Sequence, residues 1–186
     1  MKELSLHILD VAKNSVKAGA TLVGIDINTD REGMMTIRIS DNGCGMTEEV
    51  LARVTDPFYT TRTTRKVGLG LPLLRLAAEQ TGGGLSIKST TEIGKSGTEV
   101  VAVFDTKSID CMPMGDIVST VVTLIAGSPK QDFVFSDNDE RKERSVFLDT
   151  RQMREMLGDE ISLDAPEIQM WMSEYLKEQY ENQTEI

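Results

Sequence analysis

Asp10 and Asn14 stand four residues apart in DVAKNSVKAGAT, a spacing that puts both side chains on one face of a helix, one turn from each other. A carboxylate and an amide so placed suit a solvated helix surface. They also suit chemistry, with Asn14 offering its carbonyl oxygen to Mg2+ and Asp10 taking a proton from a hydroxyl or a water. Further along, DNGCGM at 41–46 follows the alternating MMTIRIS and sets Asp41, Gly43 and Gly45 at the exit of a strand. Such residues make a turn, or equally a ligand site in which Asp41 accepts a hydrogen bond from an exocyclic amine such as adenine N6. The segment Gly68, Leu69, Gly70 then opens a helix whose first-turn N–H groups and dipole suit phosphates, and Arg62, Arg65 and Lys66 just upstream add positive charge.

These residues need elements to hold them. Leu4, Ile8, Val11, Ala12, Ser15 and Val16 recur at helical spacing, so residues 3–18 are predicted to form a helix stopped at Gly19. TLVGIDINTD and MMTIRISDN read as strands around a turn near residues 31–33. Thr47 is placed to cap a short helix in EEVLARV, with Glu48 and Glu49 in its first turn. A long polar loop, Val54 to Val67, feeds the helix of GLGLPLLRLAAEQTGGG, and GLSIKSTT and TEVVAVFDT are two more strands. Composition changes near Thr106. Beyond it, DIVSTVVTLIAG predicts a largely buried helix, and DFVF and SVFLD bracket the charged SDNDERKER as a hairpin. Thr150 is expected to cap RQMREMLG, and Asp164 with Glu167 to form a capping box for PEIQMWMSEYLKEQYE. The chain therefore divides into 1–105 and a small C-terminal α/β annex, 106–186. Met170, Trp171, Tyr175 and Leu176 of the annex read as core or partner-docking residues.

Composition narrows the function. The 186 residues are 39% hydrophobic and 27% charged, without an apolar run of the roughly 18 residues a membrane span needs, and the start does not read as a secretory signal. A cytoplasmic protein off the membrane is expected. Cys44 and Cys111 are too few for a disulfide framework. A net charge of -10 sets the chain against nucleic acid, apart from the small basic stretch TTRTTRK.

Taken in order, DVAKNSVKAGAT, DNGCGM, DPFYTTR, GLGL and GTEV resemble the ATP-binding family that includes gyrase, the large heat-shock chaperone, histidine kinases and MutL, over roughly residues 3–105. The resemblance implies an α/β two-layer sandwich, a mixed sheet with helices on one face, with ATP between helix and lid. It implies Asn14 as the Mg2+ ligand, Asp41 as the adenine-reading carboxylate, and Gly43 and Gly45 as glycines permitting close approach of the nucleotide. Gly68 and Gly70, around Leu69, match the phosphate loop, and Thr98 the threonine that supports the adenine pocket. Lys17, one turn beyond Asn14, is a further phosphate candidate.

NSVKAGAT looks like MutL, whereas PFYTTR and GLGLPLLRLAAEQTGGG look like the histidine kinases. Only two residues precede the first helix in this sequence, so the helical hairpin that carries a phosphoacceptor in those kinases is not expected. The single histidine, His7, reads as an ordinary surface or partly packed helix residue. Histidine kinases usually carry Asn where this chain has Asp10. Family members that hydrolyse ATP or phosphorylate serine carry Glu, because water and hydroxyl nucleophiles must lose a proton. Asp10 keeps the carboxylate on a shorter arm. Two readings follow: an ATP-dependent protein kinase or slow ATPase acting with a partner protein, and a non-catalytic ATP-gated binding module whose lid orders around nucleotide. The annex would dock a partner or a second copy of the chain, and its deletion would leave ATP binding intact.

Overall fold

The computed structural model describes residues 2–56, 70–158 and 161–182. Arg62, Arg65, Lys66, Gly68 and Leu69 lie outside the described residues, as does most of the expected lid.

The first helix, α1 (Leu4–Lys17), buries Leu4, Ile8, Val11, Ala12 and Ser15, the stripe its spacing predicts, and ends at Ala18 before Gly19 turns the chain at φ 76°. Strands β1 (Leu22–Thr29) and β2 (Met34–Asp41) form an antiparallel hairpin, followed by the short α2 (Glu48–Leu51), whose Thr47 hydroxyl accepts from the Val50 N–H as expected. Then come α3 (Gly70–Gln80), β3 (Gly84–Thr90), β4 (Gly97–Asp105), α4 (Ile117–Ala126), β5 (Asp132–Asp139), β6 (Arg144–Asp149), α5 (Thr150–Leu157) and α6 (Pro166–Glu181).

The six strands among the described residues belong to one sheet, in the order β3-β4-β2-β1-β5-β6. Among the described strands only the β1–β5 pair is parallel, and α4 lies on the crossover that a parallel pair requires. Alternate residues of the central strands, among them Val23, Ile25, Ile37, Ile39, Ala102, Phe104, Phe133 and Phe135, point into one core. The helices cover it, with α1 against α3 on one side and α4 on the other, and α6 beyond α4.

Three expectations change here. Among the described residues the junction near residue 106 leads to no second sheet and no second core: β5 hydrogen-bonds to β1 from Leu22↔Asp132 to Thr29↔Asp139, and the core cluster runs on through Leu124, Ile125, Met172 and Leu176. The connector even completes α1. Glu3, its N-cap, makes no side-chain cap, and the carbonyls of Pro113 and Met114 accept instead from the Leu4 and Ser5 N–H groups at 3.0 and 2.8 Å. Second, α5 is capped by Asp149, which accepts from the Arg151 N–H at 2.9 Å, while Thr150 turns inward to accept from the Phe133 N–H at 2.8 Å. Third, α6 has no capping box. Its N-cap is Ala165, without a side-chain bond, and Pro166 begins the helix, where its missing N–H costs nothing. Of the four apolar residues read as core or partner-docking, Leu176 is buried in the core, whereas Met170 and Trp171 are exposed, with Trp171 stacked on Tyr175 at 4.9 Å.

Candidate functional site

Two ends of a site meet on α1. At one end β2 delivers Asp41 to the foot of the helix, where it sits across the sheet from Thr98 of β4. Ser15 donates to Asp41 Oδ2 at 2.6 Å, and the Gly43 N–H donates to Oδ1 at 2.9 Å. The carboxylate is thereby fixed by one neutral donor on each oxygen and keeps lone pairs for a further partner. Thr98 is fixed in turn by Ser89, its cross-strand neighbour on β3. The two hydroxyls lie 2.8 Å apart, Ser89 Oγ also reaches the Gly97 carbonyl at 3.0 Å, and it accepts from the Met46 N–H at 2.8 Å. Asp41, Thr98 and Ser89 thus form a polar row across three adjacent strands, beside the DNGCGM loop.

The glycines of that loop also have a task within the chain itself. A Cβ on Gly45, whose φ is 70°, would run into the Thr90 carbonyl, and one on Gly43 would stand 2.9 Å from the Ala18 carbonyl and 3.0 Å from Ala18 Cβ. Each allows a close approach to the chain's own backbone, which folds the loop down onto α1 and the β3–β4 pair.

At the other end, Asp10 and Asn14 are half-buried on one face of α1. The Asp10 carboxylate lies directly on Gly70, the first residue of α3, so closely that a Cβ there would collide with Oδ2. A negative group at a helix start is favoured by the dipole, and Gly70 makes room for it. Lys17 is exposed in the last turn of α1. Of the residues predicted from sequence, the structure therefore brings Asp10 to Gly70 and Asp41 to Thr98, with Asn14 on the helix between them.

Ser15 and Ser89 were missed as site residues. Ser15 carried a signal, a hydroxyl in the buried stripe of a helix whose other members are apolar. Ser89 had none until β3 was in register with β4. His7 corrects the expectation of a surface or partly packed residue. It is only 2% exposed, one turn before Asp10, and neither ring nitrogen has a hydrogen-bond partner among the described residues. Burial lowers its pKa, the N-terminal amine adds to the effect, and Asp10 pulls the other way.

A cleft of about 370 Å3 includes Asp41, Thr98 and Ser89 in its lining but draws its other walls from Ser40, Lys88 and Lys95. It does not extend to Asp10, Asn14 or Gly70. No three His, Cys, Asp or Glu side chains converge among the described residues in a way that would hold a metal. A Mg2+ ion would fit here only as it fits nucleotide sites generally, through one protein oxygen, that of Asn14, with phosphate oxygens and water completing its shell.

A mixed sheet with one helical layer, an Asp-Asn pair on the first helix and a glycine-framed carboxylate at the end of the second strand describe an α/β sandwich domain with a polar site along its first helix. The chain belongs to the family described as Histidine kinase-, DNA gyrase B-, and HSP90-like ATPase, which matches residues 2–108. Among curated relatives, the DNA mismatch repair protein MutL of Erwinia tasmaniensis is 27% identical over 124 residues, 63% of this chain and 20% of that protein. Sporulation kinase B of Bacillus subtilis is 32% identical over 98 residues, 52% of this chain and 23% of that protein. The chain thus spans about a fifth of the length of these relatives. The N-terminal domain of a DNA repair protein superposes with a TM-score of 0.57 at 16% identity, covering 80% of this chain and 53% of that one, a likeness of fold. No helix among the described residues is long and apolar enough to cross a membrane.

Proposed function

We propose that the chain binds Mg-ATP along α1 and acts as an ATP-dependent protein kinase or slow ATPase working with a partner protein. Adenine would lie at the Asp41 end, where the carboxylate held by Ser15 and Gly43 accepts its exocyclic amine. The phosphates would lie toward the start of α3, with Asn14 contributing to Mg2+ and Lys17 a candidate counter-charge. The observation that carries the reading is Asp10. Its carboxylate sits against Gly70 at the N-terminus of α3, where helix N–H groups suit phosphate, and no side-chain hydrogen bond among the described residues occupies it. A carboxylate there can accept the proton that an attacking hydroxyl or water must lose, and such proton transfer contributes typically 10²- to 10⁴-fold.

The experiment is phosphate release from Mg-ATP by the purified chain over several hours, with Asp10→Ala beside it and ATP affinity measured for both. Turnover that falls at least a hundredfold in Asp10→Ala, with ATP affinity kept within a few-fold, is the expected result. Equal turnover in the variant sinks the assignment of Asp10. Tight ATP binding without turnover, joined to ATP-dependent association with a partner and no labelled product from γ-phosphate, would favour the binding-module reading.

A further inference from the structure

The outward face of α6 carries an ordered stripe. Glu167, Trp171, Glu174, Tyr175 and Glu178 are linked by steps of three and four residues, so they lie along one side of the helix, and all five are exposed. Trp171, the one tryptophan of the chain, and Tyr175 are 43% and 36% exposed and stack with ring centroids 4.9 Å apart and planes 11° apart. The rotation of α6 that displays them is fixed. Met172 and Leu176 are fully buried in the core, Gln179 accepts from the Phe147 N–H of β6 at 2.9 Å and donates to its carbonyl at 3.1 Å, and the Tyr180 hydroxyl donates to Asp137 at 2.7 Å. A stacked aromatic pair left in water on a firmly seated helix suits a contact surface.

Charge narrows what can cover it. Glu167, Glu174 and Glu178 have no Lys or Arg nitrogen within 4.0 Å among the described residues. Other carboxylates in the same half of the chain are met by arginine: Asp132 by Arg154, Asp137 by Arg144, Asp139 by Arg141 and Asp149 by Arg151. Lys177, two residues on from Tyr175, lies on another side of α6, where it lines the cleft that holds Asp116 and Asp137. Three unpaired carboxylates around an aromatic pair select a cation. A second copy of the stripe, a nucleic acid or an anionic membrane would each bring more negative charge to a chain of net charge -10. Among cationic side chains guanidinium suits both parts of the stripe, because it stacks on aromatic faces and meets a carboxylate through paired N–H donors. From Glu167 to Glu178 the stripe runs about 16 Å along the helix, the reach of about five extended residues.

We propose that this face of α6 docks an extended, arginine-bearing segment of a partner protein, with one guanidinium on the Trp171–Tyr175 pair and its neighbours against Glu167, Glu174 and Glu178. Docking there rests on α6 alone and not on the nucleotide reading. The test titrates the acetylated, amidated peptide Arg-Ala-Arg-Ala-Arg into the full 15N-labelled chain at constant ionic strength, following the single indole N–H resonance of Trp171. Saturable shifts there and at the α6 amides are expected, with a dissociation constant below about 1 mM and Lys-Ala-Lys-Ala-Lys weaker by about threefold or more. The exposed pair of changes Glu174→Gln and Glu178→Gln should weaken binding by about fivefold or more without lowering the melting temperature. Tyr175→Leu, which keeps the bulk and loses the aromatic face, should do the same. Shifts that do not saturate, equal binding of the lysine peptide, or affinity unaltered in either variant would overturn the proposal. So would a Trp171 resonance that moves with protein concentration in the absence of peptide, which assigns the face to a second copy of the chain.

Discussion

Asp41 can read a base only if its carboxylate is held still, and the holding is done by Ser15 from α1 and the Gly43 N–H from the loop. Ser15 is 5% exposed, so its hydroxyl has little access to water and its bond to Asp41 is the reason a polar group sits in that stripe. On the proposed function, Ser15→Ala should weaken ATP binding by about tenfold, on the order of 1.4 kcal/mol, by freeing Asp41 to rotate and leaving Oδ2 short of a donor. Titration calorimetry against wild type checks this, and undiminished affinity would mean that Asp41 is oriented without Ser15. At this scale the sequence was legible where spacing alone makes neighbours. Asp10 and Asn14 share a face because they are four apart, and Asp41 follows its strand. The Ser15–Asp41 bond joins residues 26 apart, and the Ser89–Thr98 bond needs the register of β3 on β4, so neither could be read from local pattern. Gly43 and Gly45 were legible as glycines that allow a close approach, but the backbone that also crowds them is visible only once α1 and β3–β4 surround the loop.

Elements were legible wherever period and length agreed, as in α1 and in the β-branched α4, whose composition suits either helix or strand but whose ten-residue length and exposed Ser119 and Thr123, four residues apart, fit a helix. Their ends were less so. At α5 two adjacent residues could cap, and the sequence favoured Thr150 while the fold uses Asp149, because Thr150 is claimed by the Phe133 N–H of β5 and by Asp132. Asp149 is additionally paired with Arg151 at 2.7 Å, and hydrogen bonds from Arg151 hold its pKa below the usual carboxylate range. The folded pKa therefore lies under the unfolded value of about 3.9, so the cap's contribution is present above pH 4 and lost as pH falls through the folded pKa. Asp149→Ala should cost about 1 kcal/mol at pH 7. The gap between the two urea-unfolding curves should then narrow at pH 3. A gap that stays constant between the two pH values would show that the cap acts without its charge.

At the scale of the whole molecule, the family match over 2–108 and the change of composition near Thr106 both mark a natural end, and truncation there is the design the sequence invites. The sheet argues otherwise. Removing 109–186 strips β5 from β1 along eight registered positions and leaves a long unpaired strand edge. It also takes the Pro113 and Met114 carbonyls from the first turn of α1 and uncovers the face of α1 against which α4 packs. Each buried Phe, Leu or Ile that loses its cover forfeits roughly 1.5–3 kcal/mol, and Phe133, Phe135, Leu124 and Ile125 are all lost from the core outright. The superposition on the DNA repair domain covers 80% of this chain, more than residues 2–108 amount to, so part of the stretch beyond 108 belongs to the shared fold. The 1–108 fragment should therefore be aggregated or lack a cooperative unfolding transition, and supplying 109–186 as a separate chain should recover both solubility and ATP binding. A soluble 1–108 fragment with a sharp melt and full ATP affinity would instead place the boundary at 106 and make β5–β6 an addition to a finished domain. The distinction matters for mechanism, because the C-terminal segment could act on Asp10 and Asn14 only if, through the 113–114 carbonyls, it is part of what holds α1 in place.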